Sequence, residues 1–150
     1  MELTIKGQVY KFSFGVGFAR EMNKLGANNI GDGNGLYNDE GLQVIIAGII
    51  DGNTASIVDA LYEANRNYEP RITKETLEEY IDSLDTFDDF IEELKGFLSK
   101  SNSTVKVMKR LQLVVRQQEM AVAKAEQEIE NTKKLMEASK KMNDALTKES

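Results

Sequence analysis

The sequence predicts an α+β fold, predominantly α: an N-terminal β-hairpin, a small helical body and a long C-terminal helix. Three observations predict it. Apolar residues alternate at period two between Leu3 and Phe14. Five later segments repeat apolar residues at helical spacing behind capping residues. From Thr104 to Thr147 no Gly, Pro or aromatic residue occurs.

The elements follow in chain order. Leu3 and Ile5 alternate with polar neighbours, and Gly7-Gln8 offers a tight turn. Tyr10, Phe12 and Phe14 continue the alternation with Lys11 and Ser13 on the other face. A lone hairpin is marginal in water, so this aromatic face must pack on the next helix. Phe18, Met22 and Leu25 supply that helix at i, i+4, i+7, and Gly26 is expected to stop it. Residues 26–38 read as a Gly/Asn loop. Asn38 or Asp39 can cap a second helix, with Leu42, Ile45, Ile46 and Ile49 inward and Asp51-Gly52 at its end. Thr54 can cap a third, carrying Ile57, Val58, Leu61 and Tyr62. Past Pro70, Thr73 can cap a fourth with Leu77, Tyr80, Ile81 and Leu84. Thr86-Phe87-Asp88-Asp89 resembles a capping box, and Phe90, Ile91, Leu94, Phe97 and Leu98 follow as a wide stripe. Phe12, Phe18, Leu61, Phe90 and Leu94 are expected in the core.

Ser99 to Ser103 is polar and can hold a cap for the last helix. Ala, Lys, Glu, Gln, Met and Leu, all strong helix formers, dominate it. At ~1.5 Å per residue it reaches about 66 Å. A body of about 100 residues has a radius of gyration of only ~13 Å, so an unbroken rod outreaches it. The expected division is 1–102, hairpin plus helical body, and 103–150, a mainly exposed arm for self-association or client binding. Charge divides the same way. Residues 1–102 hold 9 Lys+Arg and 18 Asp+Glu; residues 103–150 hold 10 and 7.

Composition narrows the chemistry. The 150 residues are 41% hydrophobic and 29% charged, with no Cys, His or Trp. Disulfides, thiol nucleophiles, Cys/His zinc sites and histidine-based triads are therefore excluded. A net charge of −6 argues against nucleic-acid binding, which needs a basic footprint. The longest apolar run, Val44 to Ile50, is too short to cross a bilayer, and the first residues lack a signal-peptide core. The expectation is a cytoplasmic protein without cofactor, metal, nucleic acid or membrane among its partners.

Motifs that suggest chemistry are weak. Gly15-Val16-Gly17 lacks the third glycine of a dinucleotide loop, where Arg20 stands. Asp32-Gly33-Asn34 and Asp51-Gly52-Asn53 begin like calcium loops but lack the later oxygen ligands and invariant glycine. Nine carboxylates between Glu75 and Glu93 read as a solvated helix face, or else as a docking surface for basic segments. Lys133-Lys134 and Lys140-Lys141 alternate with Glu126, Glu128, Glu130 and Glu137, the pattern of a salt-bridged helix surface.

On the rod, Met108, Val115, Val122, Ile129, Met136 and Asn143 form one heptad line; Leu111, Gln118, Ala125, Thr132, Ser139 and Leu146 form its companion. That is a thin seam. Val115, Val122, Ile129 and Met136 would each contribute ~1.5–3 kcal/mol when fully buried. Association costs on the order of 4–15 kcal/mol, so the seam suits weak, repeated contacts. Val122, Ile129 and Met136 are the candidate partner-binding residues; no catalytic, cofactor or metal-binding residue stands out.

The opening Met1-Glu2-Leu3-Thr4-Ile5-Lys6-Gly7-Gln8-Val9-Tyr10-Lys11-Phe12-Ser13-Phe14-Gly15 resembles tail assembly chaperones of long-tailed bacteriophages and prophages of Gram-positive hosts. So do the small-residue loop from Gly26 to Gly35, the helix around Leu42 to Ile50, and Ile57-Val58-Asp59-Ala60-Leu61-Tyr62-Glu63-Ala64-Asn65 followed by Pro70-Arg71-Ile72-Thr73. Tyr80-Ile81-Asp82 and the segment Phe87 to Leu98 continue the pattern. The resemblance covers roughly residues 1–102 and implies a non-enzymatic role. Such proteins bind the tape measure protein, keep it soluble until tail-tube subunits polymerise around it, and are absent from the finished tail. It also implies self-association into rings, spirals or weak oligomers. A cytosolic coiled-coil adaptor or oligomeric scaffold unrelated to phage tails is the alternative expectation.

Overall fold

The computed structural model describes residues 1–30 and 39–149. Strands β1 (Glu2–Ile5) and β2 (Gln8–Lys11) form an antiparallel hairpin. Helices α1 (Val16–Ile30), α2 (Glu40–Ile50), α3 (Thr54–Ala64), α4 (Lys74–Asp82), α5 (Phe87–Lys100) and α6 (Val105–Glu149) follow. The fold is thus predominantly helical, with an N-terminal hairpin and a long final helix. The chain divides into two compact units, Met1–Leu111 and Gln112–Ser150.

In the first unit the hairpin turn lies one residue earlier than expected. Ile5 pairs with Gln8, leaving Lys6-Gly7 as the loop, with φ of 51° and 79°. A two-residue turn with both φ values positive matches the twist of its strands, and Gly takes such a value without strain. Leu3 and Ile5 point inward, and Phe12 and Phe14 carry the alternation past the end of β2 into the core. Phe14 meets Phe18 of α1 edge-on at 5.1 Å and Phe97 of α5 at 6.4 Å. The hairpin's aromatic face is therefore covered from two helices. All five residues expected in the core are buried.

Gly26 does not stop α1, which continues to Ile30. A Cβ at Gly26 would lie 1.9 Å from the carbonyl oxygen of Gly41 and 2.3 Å from its Cα. The glycine is there because two helix backbones touch, and that long-range contact outweighs its poor helix propensity. Residues 26–30, expected in a loop, are thus helical, and the rest of that expectation, with Asn38 and Asp32-Gly33-Asn34, lies outside the described residues. Asp39 does stand before α2, yet its side chain makes no cap bond to the helix. Its Oδ1 instead accepts from Asn23 Nδ2 at 2.9 Å, while Asn23 Oδ1 accepts the first-turn N–H of Leu42 at 2.8 Å. A buried residue of α1 caps α2.

Other caps sort by local geometry. Asn53, not Thr54, caps α3, accepting from Ser56 N. Asp51 closes α2, so Asp51-Gly52-Asn53 is a helix-to-helix turn. Thr73 caps α4 as expected, through Thr76 N. Thr86 precedes α5 without a side-chain cap bond; Asp88 and Asp89 place charge at its positive end instead.

Asn65, at the end of α3, is fully buried and ties three segments together. Its Nδ2 donates to the Lys11 carbonyl at 3.0 Å and to the Pro70 carbonyl at 3.3 Å. Its Oδ1 accepts from Ile72 N at 2.7 Å and from Arg71 at 3.2 Å. The Arg71 guanidinium also lies 4.2 Å over the Tyr62 ring. Between α5 and α6, the Ser101 and Ser103 hydroxyls donate to the Phe14 carbonyl, and buried Thr104 donates to the Leu98 carbonyl. Val107 and Met108 then enter the core.

Candidate interaction surface

Helix α6 runs unbroken for 45 residues, about 68 Å at 1.5 Å per residue. Its heptad line splits in two. Met108 is buried and Val115 half-buried, whereas Val122, Ile129 and Met136 are 57%, 58% and 67% exposed. Successive members, seven residues apart, fall about 20° short of two full turns, so the three make one slowly drifting stripe. The structure brings all three candidate residues onto that open stripe.

A second apolar set was missed. Leu113 and Met120, then Leu135, Met142 and Leu146, are also exposed. All but Leu146 lie off the two heptad lines, and a single assumed seam hides them. The repeats Leu113/Met120 and Leu135/Met142, each seven apart, are the signal that could have revealed them. Residues 112–150 contain seven basic and seven acidic side chains. This unit is therefore neutral as well as greasy, and the excess of basic charge in 103–150 comes from Lys106, Lys109 and Arg110 near the start of α6.

The first unit offers clefts, two of which hold acids paired with cations. One, of about 420 Å³, is lined by Gly15, Gly17, Arg20, Glu21, Glu63 and Arg66 among others. Arg66 sits between its two carboxylates, 3.0 Å from Glu21 and 3.5 Å from Glu63. Gly15 here stands just before α1, and Gly17 lies in its first turn. A second cleft, between α3 and α4, holds Asp59 against Lys74 at 3.2 Å. The nine carboxylates from Glu75 to Glu93 are all exposed. Glu79 meets Lys6 at 2.8 Å, and Glu92 meets Lys95 at 2.8 Å. The hydrogen bond to Glu79 and its negative charge, with Glu75 adding a smaller share, hold the Lys6 ammonium above its ordinary pKa. Burial, with Glu93 nearby, raises the Tyr80 phenol. Among the described residues no group of acidic side chains is arranged to hold a metal ion, and no helix is long and apolar enough to cross a membrane.

The described residues thus combine a hairpin whose aromatic face is covered from two helices with a long helix that leaves apolar side chains exposed. The family model for phage tail assembly chaperone protein matches residues 2–112, and the chain belongs to that family. Neither curated proteins nor solved structures give a match. The match ends within one residue of the end of the first unit, so the exposed part of α6 lies beyond the matched residues. The expectation of an adaptor unrelated to phage tails gives way to this membership.

Proposed function

We propose that this chaperone binds the tape measure protein and keeps it soluble during tail morphogenesis, acting by contact alone and transforming no substrate. The observation that carries the reading is the open stripe of Val122, Ile129 and Met136 on a chain of this family. A tape measure protein is a long, partly apolar helical chain, and a helix presenting shallow apolar residues seven apart suits such a client. Each of the three contributes ~1.5–3 kcal/mol on full burial, roughly 4.5–9 kcal/mol together. That is comparable to the ~4–15 kcal/mol cost of association, so a single contact is weak and reversible. Holding then depends on many copies along one client, and self-association into a ring, spiral or weak oligomer supplies them. Tail-tube subunits displace the chaperone one contact at a time, so it acts in the host cytoplasm and is absent from the mature virion. The residue resemblance supports a long-tailed phage or prophage of a Gram-positive host. A very long gene for the tape measure protein is expected just downstream.

The test is co-expression with the tape measure protein and pull-down of wild type against the triple variant V122E/I129E/M136E. The expected result is lost or sharply reduced capture, with far-ultraviolet circular dichroism and melting of the body unchanged. Equal capture by the variant refutes the assignment. No capture by wild type, with both partners soluble and folded, counts against the function itself.

A further inference from the structure

We propose that α6 also pairs with α6 of a second copy of this chain, antiparallel, in the register that sets Glu119 against Lys140 and Glu126 against Lys133. The proposal rests on the pattern of α6 and does not require the client. Beside the Val122–Ile129–Met136 line, one flank of the seam reads Glu119, Glu126, Lys133, Lys140, each seven apart and each exposed. Its sign changes once, at the middle. Charges flanking a helix–helix seam set partner and orientation. Antiparallel pairing lays this flank against itself reversed, so every acid meets a base, and four opposite-charge pairs form in a symmetric dimer. Parallel pairing lays it against the other flank, Ala121, Glu128, Leu135 and Met142, where only Glu128 finds a partner, Lys133. Like charges would not stack in either case, but only one orientation uses all four residues.

The same register orders the apolar residues. Val115 faces Leu146, Val122 faces Ser139, Ile129 faces Thr132 and Met136 faces Ala125. On the far flank Met142 meets Ala121. Leu135 lies on that flank as well, so most of the second exposed set is drawn toward one seam. Gln118 faces Asn143 in the same register, and small or polar members at half of the ten seam positions keep the pairing modest and concentration-dependent. The overlap spans residues 115–146, about 48 Å of helix.

Sedimentation of the full-length chain across concentration tests this. Wild type should dimerise. E119K/E126K makes the flank wholly basic and K133E/K140E makes it wholly acidic; each alone should be monomeric at concentrations where wild type is paired, and an equal mixture should restore the dimer. The fourfold swap E119K/E126K/K133E/K140E should restore it within one chain. Because the natural chain has no cysteine, orientation can be read by oxidising a mixture of V122C and S139C chains. A mixed disulfide is expected; homodisulfides alone overturn the antiparallel register. A monomeric wild type, or self-association indifferent to all the charge variants, overturns the proposal. The client reading fails separately: a charge-sensitive dimer that captures no tape measure protein refutes only that reading, since the charge variants leave Val122, Ile129 and Met136 untouched.

Discussion

Replacing Asn65 by Ala should destabilise the first unit far more than its single amide suggests. The side chain is fully buried and makes four hydrogen bonds, to Lys11, Pro70, Arg71 and Ile72. Truncation orphans the buried Ile72 N–H, which has no water to turn to, at a cost of about 1–3 kcal/mol. The Lys11 and Pro70 carbonyls each lose a donor, which adds roughly 0.5–1.5 kcal/mol apiece. The sum is on the order of 2–6 kcal/mol, a large share of the ~5–15 kcal/mol that holds a typical domain. At about 4 °C per kcal/mol the melting midpoint should fall by about 8–24 °C. Asn65→Asp separates the parts: it keeps the acceptor for Ile72 and Arg71 and removes both donated bonds. Urea unfolding followed by far-ultraviolet circular dichroism measures each variant. An Ala variant within about 1 kcal/mol of wild type would show that the hub does not couple hairpin, α3 and the 70–72 segment.

Gly26→Ala should also be costly, because the new methyl would enter the Gly41 backbone and the helices must move apart; about 1–3 kcal/mol is expected from overpacking, read by urea unfolding, and an unchanged midpoint would refute the contact. Lys6 and Tyr80 both have folded pKa values raised above their ordinary 10.5 and 10.0. Their contributions are complete below those values and are lost as pH climbs through the higher folded ones, so stability should decline from about pH 10 upward. Tyr80→Phe should flatten part of that decline while keeping the ring against Phe90 at 5.8 Å; an identical alkaline slope counts against the half-buried phenol as its source.

Much of the fold was legible because its signals are local. Period-two alternation placed the hairpin, and 3.6-residue repeats found the buried faces of α2 to α5. Thr73 announced α4 because capping involves residues three apart. What was hidden depends on residues distant in sequence. Gly26 looked like a terminator, since propensity cannot reveal that Gly41 lies against it. The capping of α2 by Asn23 spans nineteen residues. The stretches Ile57 to Asn65 and Pro70 to Thr73 carried the resemblance, and the reason they belong together emerges only when Lys11 arrives from the hairpin to meet Asn65. On α6, a fixed heptad frame exposed one apolar stripe and concealed the other.

The start of α6 has a consequence for the rest of it. Forming the first turn of any helix is unfavourable, whereas adding residues to an existing turn is nearly neutral or better. Here the opening turns are already held, with Thr104 bonded to the Leu98 carbonyl and Val107 and Met108 in the core. The exposed residues beyond Leu111 therefore only propagate from a seed that the body maintains. Amide protection should decay smoothly toward Glu149, and trimming from that end should shorten the helix turn by turn. Loosening the seed at Thr104 should instead melt distant residues together, so the body governs whether its own arm exists.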